Sequence, residues 1–399
     1  MGENSFFLAT EAEIKNAKTT DVYFLRTEEV LKKASRDQMV VVEVTASSIK
    51  GSNWGVLAGI EDILDLLVGL DIDVYTMPEG SIFQKEDENG VKIPTIVIIG
   101  KYLSFGKFET PLLGFVCSKS GMTTKTARIR LAAKDKSVLS FGARRAHPAI
   151  TPVVSYCAYI GGCDGISCIL GAEKLGISPT GTIPHSLIIL FQDQVTAWKA
   201  FDTHVSSNVP RIALIDTYYD EKIEAILAAE AIPNLAGVRL DTPSSRRGNF
   251  KSIIQEVRWE LDHRGFYDVK LYISGGLGEE DVFEYVDLVD GFGIGSEISA
   301  APPIDFALDI VALADENGEW KPVAKRGKFS GRKNVLRCEK CLKIKVLKWK
   351  NEDVLCKNCK ITMKPLLSKQ IEKGKRIREK PSVEEIRAYI REQLDVLRK

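Results

Sequence analysis

Four short apolar runs with helix-length stretches between them constrain this chain most. They are RIALID (211–216), GVRLD (237–241), VKLYIS (269–274) and DGFGIG (290–295). Residues 220–231, 249–264 and 279–286, which separate them, read as helices. Strand and helix alternating at this pitch predict parallel β-α units, because parallel neighbours need a crossover and a helix supplies it. Residues 138–141 and 180–183 are expected as further strands, enough to close a barrel; an open doubly wound sheet is the alternative. Before about residue 110 the rhythm differs. VVVEV (40–44) and TIVII (95–99) read as buried strands around a charged, turn-rich stretch at 81–93, which suggests an α+β module. The expected division is 1–110, an α+β domain; 111–320, the β-α domain; 321–365, a basic cysteine-bearing module; and 366–399, closed by an amphipathic helix. In that helix Ser382 and Glu385 have capping-box spacing, and Val383, Ile386, Ile390, Leu394 and Leu397 share a face.

In a β-α barrel the loops after the strands build the active face. Asp216 closes RIALID and Asp241 closes GVRLD. Arg239 lies two residues before Asp241 and so points to the same side of its strand. Buried charge without a partner is expensive, so the set reads as a polar active site, with an internal salt bridge as the plain alternative. Gly275 and Gly276 follow the third strand, and Gly293, Gly295 and Ser296 the fourth. Glycine lets backbone N–H groups approach a phosphate, and the late strands of barrels often hold one. Neither loop fits the P-loop pattern of nucleoside triphosphatases. In FGARRAHP (141–148), Phe141 ends an expected strand, and Arg144 and Arg145 suit a pyrophosphate or a carboxylate through paired hydrogen bonds. An exposed basic turn is the alternative. GTIPHS (181–186) places Thr182 and His185 where a strand is expected to pass into a helix; the other histidines are His147, His204 and His263.

The eight cysteines divide. Cys117, Cys157, Cys163 and Cys168 are scattered, as buried small hydrophobes are. Cys338 and Cys341, then fourteen residues, then Cys356 and Cys359 have the spacing of two knuckles sharing one tetrahedral, structural Zn²⁺. Residues 346–349 between the pairs suit the hairpin of a ribbon. Residues 321–380 hold 21 Lys and Arg against 5 Asp and Glu, a charge of +16 that leaves the rest at −15. Such a segment, with Trp349 in it, could grip RNA phosphates. Packing on the acidic body of the same or a neighbouring subunit is preferred, because the complementary charge sits in the same chain. Apolar runs such as 96–100 fall far short of a membrane span of about 20 residues, and the first residues lack the pattern of a signal peptide. A cytoplasmic protein is expected.

Taken in order, TDVY (20–23), FGARR, YIGGCDG (159–165), GTIPHS, LIDTY (214–218), VRLD (238–241), SGG (274–276) and GIGS (293–296) resemble the nicotinate phosphoribosyltransferase family of type II phosphoribosyltransferases, in an archaeal-like form with a C-terminal zinc module. The resemblance covers about residues 15–320. It implies a truncated α/β barrel beside an N-terminal sandwich-like domain, in a homodimer whose partner's N-terminal domain completes each site. The implied reaction joins nicotinate to phosphoribosyl pyrophosphate, giving nicotinate mononucleotide and pyrophosphate for NAD synthesis. In that family's pattern Tyr23, from across the interface, and Phe141 stack on the pyridine ring. Arg239, assisted by Thr182, pairs with the carboxylate. Asp216 and Asp241 hold the ribose, and Gly275, Gly276, Gly293, Gly295 and Ser296 cradle the 5′-phosphate. Mg²⁺ with Arg144 and Arg145 stabilises the pyrophosphate, and His185 matches the histidine that ATP phosphorylates in many members. The chain departs from the family at Ile166-Ser167-Cys168, where T-S-N is usual, and at Thr242-Pro243-Ser244, where S-G-D is usual. Related acceptors are the near alternatives. Quinolinate would need a second cationic patch, and nicotinamide would not need Arg239.

Overall fold

The computed structural model describes residues 6–349 and 353–398. Two compact units emerge, one of residues 125–301 and one of the chain up to 124 together with 302 onward.

The 125–301 unit is built on six parallel strands. They are β1 (Ser137–Ser140), β2 (Gly165–Ile166), β3 (Ile212–Leu214), β4 (Gly237–Leu240), β5 (Lys270–Ile273) and β6 (Gly291–Ile294). The order across the sheet is β2-β1-β6-β5-β4-β3, the open half of a barrel. The crossover helices begin where side chains can cap them. Asp220 accepts the Lys222 N–H at the start of Glu221–Ala231, and Asn249 accepts that of Ser252 before Phe250–His263. The latter helix buries Phe250, Ile254, Val257 and Leu261 along one stripe. One expected strand is absent. Residues 180–183 run extended without a ladder, held by the Thr180 N–H to the Ile166 carbonyl at 2.8 Å. Pro179 and Pro184 flank the run and lack the N–H that would extend a ladder past either end of it. The two-residue β2 takes the edge instead.

The other unit is organised by a seven-stranded antiparallel sheet. Its order is Trp320–Pro322, Asp305–Ala314, Met39–Ser48, Pro94–Lys101, Ile72–Thr76, Ser368–Glu372 and Lys375–Arg376. Met39–Ser48 is central and buried on both faces, which explains its unbroken VVVEV run. The charge inside that run, Glu43, is only 2% exposed and pairs with Lys333 Nζ at 2.6 Å. Burial pushes the Glu43 carboxyl up, against the pull of Lys333.

This sheet redraws the expected boundaries. Asp305–Ala314 pairs with Met39–Ser48, and Ser368–Glu372 pairs with Ile72–Thr76, so everything from residue 302 joins the N-terminal unit. The boundary expected at 320 falls at 301/302, and the one at 110/111 moves to 124/125, inside the helix Glu109–Ala132. The helix Val383–Leu397 forms as expected, with the Ser382–Glu385 capping box. It docks through Gln393, which accepts the Ile82 N–H at 2.8 Å and donates to the Gly80 carbonyl at 3.0 Å.

Much of the basic segment is neutralised within this unit. Lys325 and Lys328 pair with Asp309, Lys369 with Asp73, Arg376 with Glu61, Lys380 with Asp65 and Lys357 with Glu88.

Candidate active site

The carboxyl ends of the parallel strands surround a cavity of about 600 Å³. Phe141 and the one-turn helix Ala143–Arg145 reach it after β1, and Ser167 after β2. Residues 181–186 form another wall. Arg239 and Asp241 come from β4, Ser274, Gly275 and Gly276 follow β5, and Gly293, Gly295 and Ser296 belong to β6 and its end. Every site residue expected from this unit lies on this cavity except Asp216, which sits directly behind it. Tyr23, 55% exposed, belongs to the other unit, on the helix Val22–Lys33, with its ring beside that of Phe24.

His185 is the first residue of the helix His185–Phe191. Its Nδ1 lies 3.0 Å from Thr217 Oγ1. Its Nε2 points between two carboxylates, 3.8 Å from Asp216 Oδ1 and 3.7 Å from Asp241 Oδ2, distances of ion pairs rather than hydrogen bonds. Asp241 chiefly, and then the Asp216 charge, raise the imidazole pKa against the opposing effect of burial. Asp216 is nearly enclosed. Its Oδ2 accepts the Asp241 N–H at 2.6 Å, while its Oδ1 is buried without a hydrogen-bond partner. Burial pushes the Asp216 carboxyl up to about 6, although His185 and the Asp241 N–H pull the other way. Asp241 has the opposite balance. Burial would raise it, but His185, Arg239 and the Ser274 hydroxyl hold it below the usual carboxylate range. Two strand-end carboxylates are thus shifted in opposite directions, Asp216 up and Asp241 down, a separation that acid–base and binding sites use.

Arg239 is 8% exposed. Nη1 donates to Ser274 Oγ at 3.1 Å and Nη2 to the Ile183 carbonyl at 3.0 Å, and Nη1 lies 3.6 Å from Asp241 Oδ1. Its Nε is buried without a partner. The guanidinium carbon stands 5.8 Å from the centre of the Phe141 ring. Phe141 can occupy this place because Gly293 has no side chain; a Cβ there would lie 2.4 Å from the ring. Gly275 has φ +94°, and a Cβ on it would meet the Asp241 carbonyl at 2.9 Å. Both glycines are therefore required by the geometry and not merely tolerated. Arg144 and Arg145 are exposed, and among the described residues neither forms an ion pair.

Sequence reasoning missed the groups that hold this arrangement. Ser274 bridges the two charged groups, donating to Asp241 Oδ1 at 2.5 Å while accepting from Arg239. Glu224, fully buried, accepts the N–H groups of Thr217, Tyr218 and Tyr219, fixing the loop that carries the partner of His185. In the sequence Glu224 looks like any acidic residue in a helix's first turn. Arg247 ties the loop after β4 to the one after β5 through the carbonyls of Thr242, Ser274 and Gly275.

A second cluster lies in the other unit. The sulfur atoms of Cys338, Cys341, Cys356 and Cys359 all fall within 4.8 Å of one another, and Cys341 and Cys356 are 3.6 Å apart. Bonds of about 2.3 Å in a tetrahedron give sulfur separations near 3.8 Å, so this donor set fits a closed zinc site. The two knuckles repeat each other. Leu342 and Lys360, each following its second cysteine, both have φ +58°. The Leu342 and Lys360 N–H groups donate to the carbonyls of Cys338 and Cys356 at 2.9 Å. Residues 346–349, expected as the hairpin between the pairs, instead lie in and just after the strand Ile344–Lys348, which pairs with Lys333–Arg337 ahead of the first cysteine pair.

Comparison with known proteins agrees with this geometry. Sequence models of the quinolinate phosphoribosyl transferase C-terminal and N-terminal domains match residues 122–309 and 21–120. The model of the nicotinate phosphoribosyltransferase C-terminal domain matches 339–399. A nicotinate phosphoribosyltransferase of Mycobacterium tuberculosis is 28% identical over 344 residues, covering 82% of this chain and 69% of its own length. The crystal structure of nicotinate-nucleotide pyrophosphorylase from Pyrococcus furiosus is 50% identical, with a TM-score of 0.93 over 98% of each chain. Human nicotinic acid phosphoribosyltransferase shares the fold, with a TM-score of 0.69 over 94% of each chain at 18% identity.

Proposed function

The chain belongs to the type II phosphoribosyltransferases, of the nicotinate phosphoribosyltransferase kind, and from that premise we propose that it transfers the phosphoribosyl group of phosphoribosyl pyrophosphate to nicotinate. The observation that carries this reading is Arg239: a buried guanidinium with an unpartnered Nε, on the wall of a cavity that also holds a strand-end carboxylate and two glycine loops.

Arg239 takes the acceptor's carboxylate, with the Thr182 hydroxyl beside it, and Phe141 lies against the pyridine ring. The 5′-phosphate enters among the backbone groups of Gly275, Gly276, Gly293, Gly295 and Ser296. That places C1′ of the ribose near Asp241 and Asp216. The C1′–O bond to pyrophosphate breaks with its electron pair leaving on oxygen, and the pyridine nitrogen supplies the pair for the new C1′–N bond. No proton has to move. Positive charge builds on the ribose as the bond breaks, and the two carboxylates stabilise it. Arg144 and Arg145, without ion pairs among the described residues, meet the departing pyrophosphate. The nucleophile needs orientation more than activation, and Arg239 and Phe141 supply it.

The buried, unpartnered Asp216 Oδ1 and its neighbour Asp241 form an oxygen donor set that fits Mg²⁺; the ion, when bound with the diphosphate, neutralises its charge. His185 Nε2, open to the cavity and flanked by carboxylates, is positioned to accept a phosphoryl group from ATP, which would couple ATP hydrolysis to transfer. Zn²⁺ at the four cysteines holds the ribbon. A second copy of the chain supplies Tyr23 to the pyridine ring. Among the described residues no helix is long and apolar enough to cross a membrane, in keeping with a cytoplasmic site of action.

The test is incubation of the protein with phosphoribosyl pyrophosphate, Mg²⁺ and each of nicotinate, nicotinamide and quinolinate, with and without ATP, and detection of mononucleotide by mass spectrometry. Nicotinate should give product far faster than nicotinamide or quinolinate does. Product from quinolinate with release of CO₂, and none from nicotinate, would replace the acceptor. No product from any of the three would overturn the assignment.

A further inference from the structure

The unit that joins the chain up to residue 124 with residues from 302 onward carries a second cavity, of about 830 Å³, that phosphoribosyl transfer leaves unused. Its floor is the face of the seven-stranded sheet opposite the main core, where Val41 and Ala312 meet. Its walls come from the strap after Asp305–Ala314 and from the hairpin of the cysteine module. Three large aromatics stand around it about half exposed, Trp320 at 44%, Phe329 at 53% and Trp349 at 51%. Aromatic surface gathered in this way marks a binding site more often than a solvated face.

The charge around the cavity has one sign. Its described lining residues include Arg332, Lys333 and Lys348 and no carboxylate. Lys333 is committed to Glu43, but Lys348 forms no ion pair among the described residues. The Arg332 guanidinium is stacked between two rings, 3.4 Å from the centre of Trp349 and 4.6 Å from that of Tyr75, and its Nε is buried without a hydrogen-bond partner. Apolar floor, aromatic walls and cations without acidic partners together suit a planar aromatic group that carries phosphate.

We propose that this cavity binds a free nucleotide, with the base against Trp349 and the apolar floor and the phosphates on Arg332 and Lys348. A single pyridine ring would leave most of the volume empty. A nucleic-acid strand needs successive stacking platforms along a groove, whereas here the aromatics ring a single cavity. Elsewhere in the basic segment Lys325, Lys328, Lys369 and Arg376 are paired with acids of their own unit, which interrupts the positive track a strand would follow.

The experiment titrates the full-length, zinc-loaded protein with ADP, followed by calorimetry and tryptophan fluorescence, beside inorganic phosphate and a single-stranded oligouridylate. The proposal expects one ADP per chain at this cavity, beside any that binds at the strand ends near His185. W349A and K348Q should each weaken ADP by about tenfold, the usual scale for losing one stacking platform or one phosphate contact. W349F should bind nearly as the natural protein does, and all three variants should keep its transferase rate in the absence of ADP. Should W349A fail to fold, K348Q and W349F carry the test. Absence of ADP binding overturns the proposal. So does ADP affinity unchanged by K348Q and by loss of the Trp349 ring, which would place the nucleotide among the strand ends. Tighter, steeply salt-dependent binding of the oligouridylate than of ADP would assign the surface to RNA and overturn it as well.

Discussion

Replacing Arg239 with Gln should separate recognition of the acceptor from the rest of the reaction. Two of its donors are engaged, on Ser274 and on the Ile183 carbonyl, and Nε has no protein partner, so a carboxylate can take a paired contact without displacing either bond. Hydrogen bonds to charged groups are worth about 1.5–3 kcal/mol each. Losing two removes about 3–6 kcal/mol, and one neutral bond from Gln returns about 1 kcal/mol. The remainder, about 2–5 kcal/mol, predicts a fall in kcat/KM for nicotinate of roughly thirtyfold to a few thousandfold, at about 1.4 kcal/mol per tenfold. Nicotinamide, which brings no charge, should lose less than about tenfold, and KM for phosphoribosyl pyrophosphate should hardly move. The Arg239 charge also helps hold Asp241 ionised, so rates should be compared near pH 8, where Asp241 is ionised in either protein. Steady-state rates for both acceptors, with circular dichroism and a melting curve as folding controls, decide the matter. A folded R239Q enzyme that keeps nicotinate kcat/KM within tenfold of the natural value, or that loses equally toward both acceptors, would refute the carboxylate role.

The pH profile should follow Asp216. With its carboxyl pushed up to about 6, kcat/KM should drop as pH falls through that value, and D216N should lack this limb at a lower overall rate. The same shift has a stability sign. A carboxyl raised above its unfolded value favours the fold below its ordinary range and loses that contribution as pH rises through about 6, so D216N should gain melting temperature at pH 8 relative to pH 4. G293A should push Phe141 out of place and raise KM for nicotinate by about tenfold or more, since displacements near 1 Å at a site cost that much; an unchanged KM would show that Phe141 does not position the ring. C341S, or a strong chelator, should remove one zinc per chain by metal analysis and lower the melting temperature, whereas metal-free protein melting like the native would deny the site a structural role. Mixing inactive Y23A and R239Q proteins, after subunit exchange, should restore up to about a quarter of the active sites if Tyr23 acts across a twofold interface; no recovery would put it elsewhere.

Legibility in the sequence tracked the range of the physics. The β-α rhythm of residues 211–295, the capping box at Ser382, the cysteine spacing and the strand-end positions of Asp216, Arg239 and Asp241 are local patterns, and each is found in the structure where the pattern placed it. Period, cap and turn are set by neighbours in the chain, so they need no tertiary partner to be read. Residues 180–183 misled because apolar and β-branched character was weighed without the prolines at either end. What only the tertiary structure decided is long-range. Asp305–Ala314 and Ser368–Glu372 join strands near the other end of the chain, and nothing within a few residues of them encodes that pairing. The same holds for Glu224 beneath the loop that carries Thr217, Ser274 between Arg239 and Asp241, and the opposite pKa shifts of two aspartates that look alike in sequence. A residue type states which interactions a side chain can make. Burial and partners, which exist only once distant segments meet, determine which of them it does make.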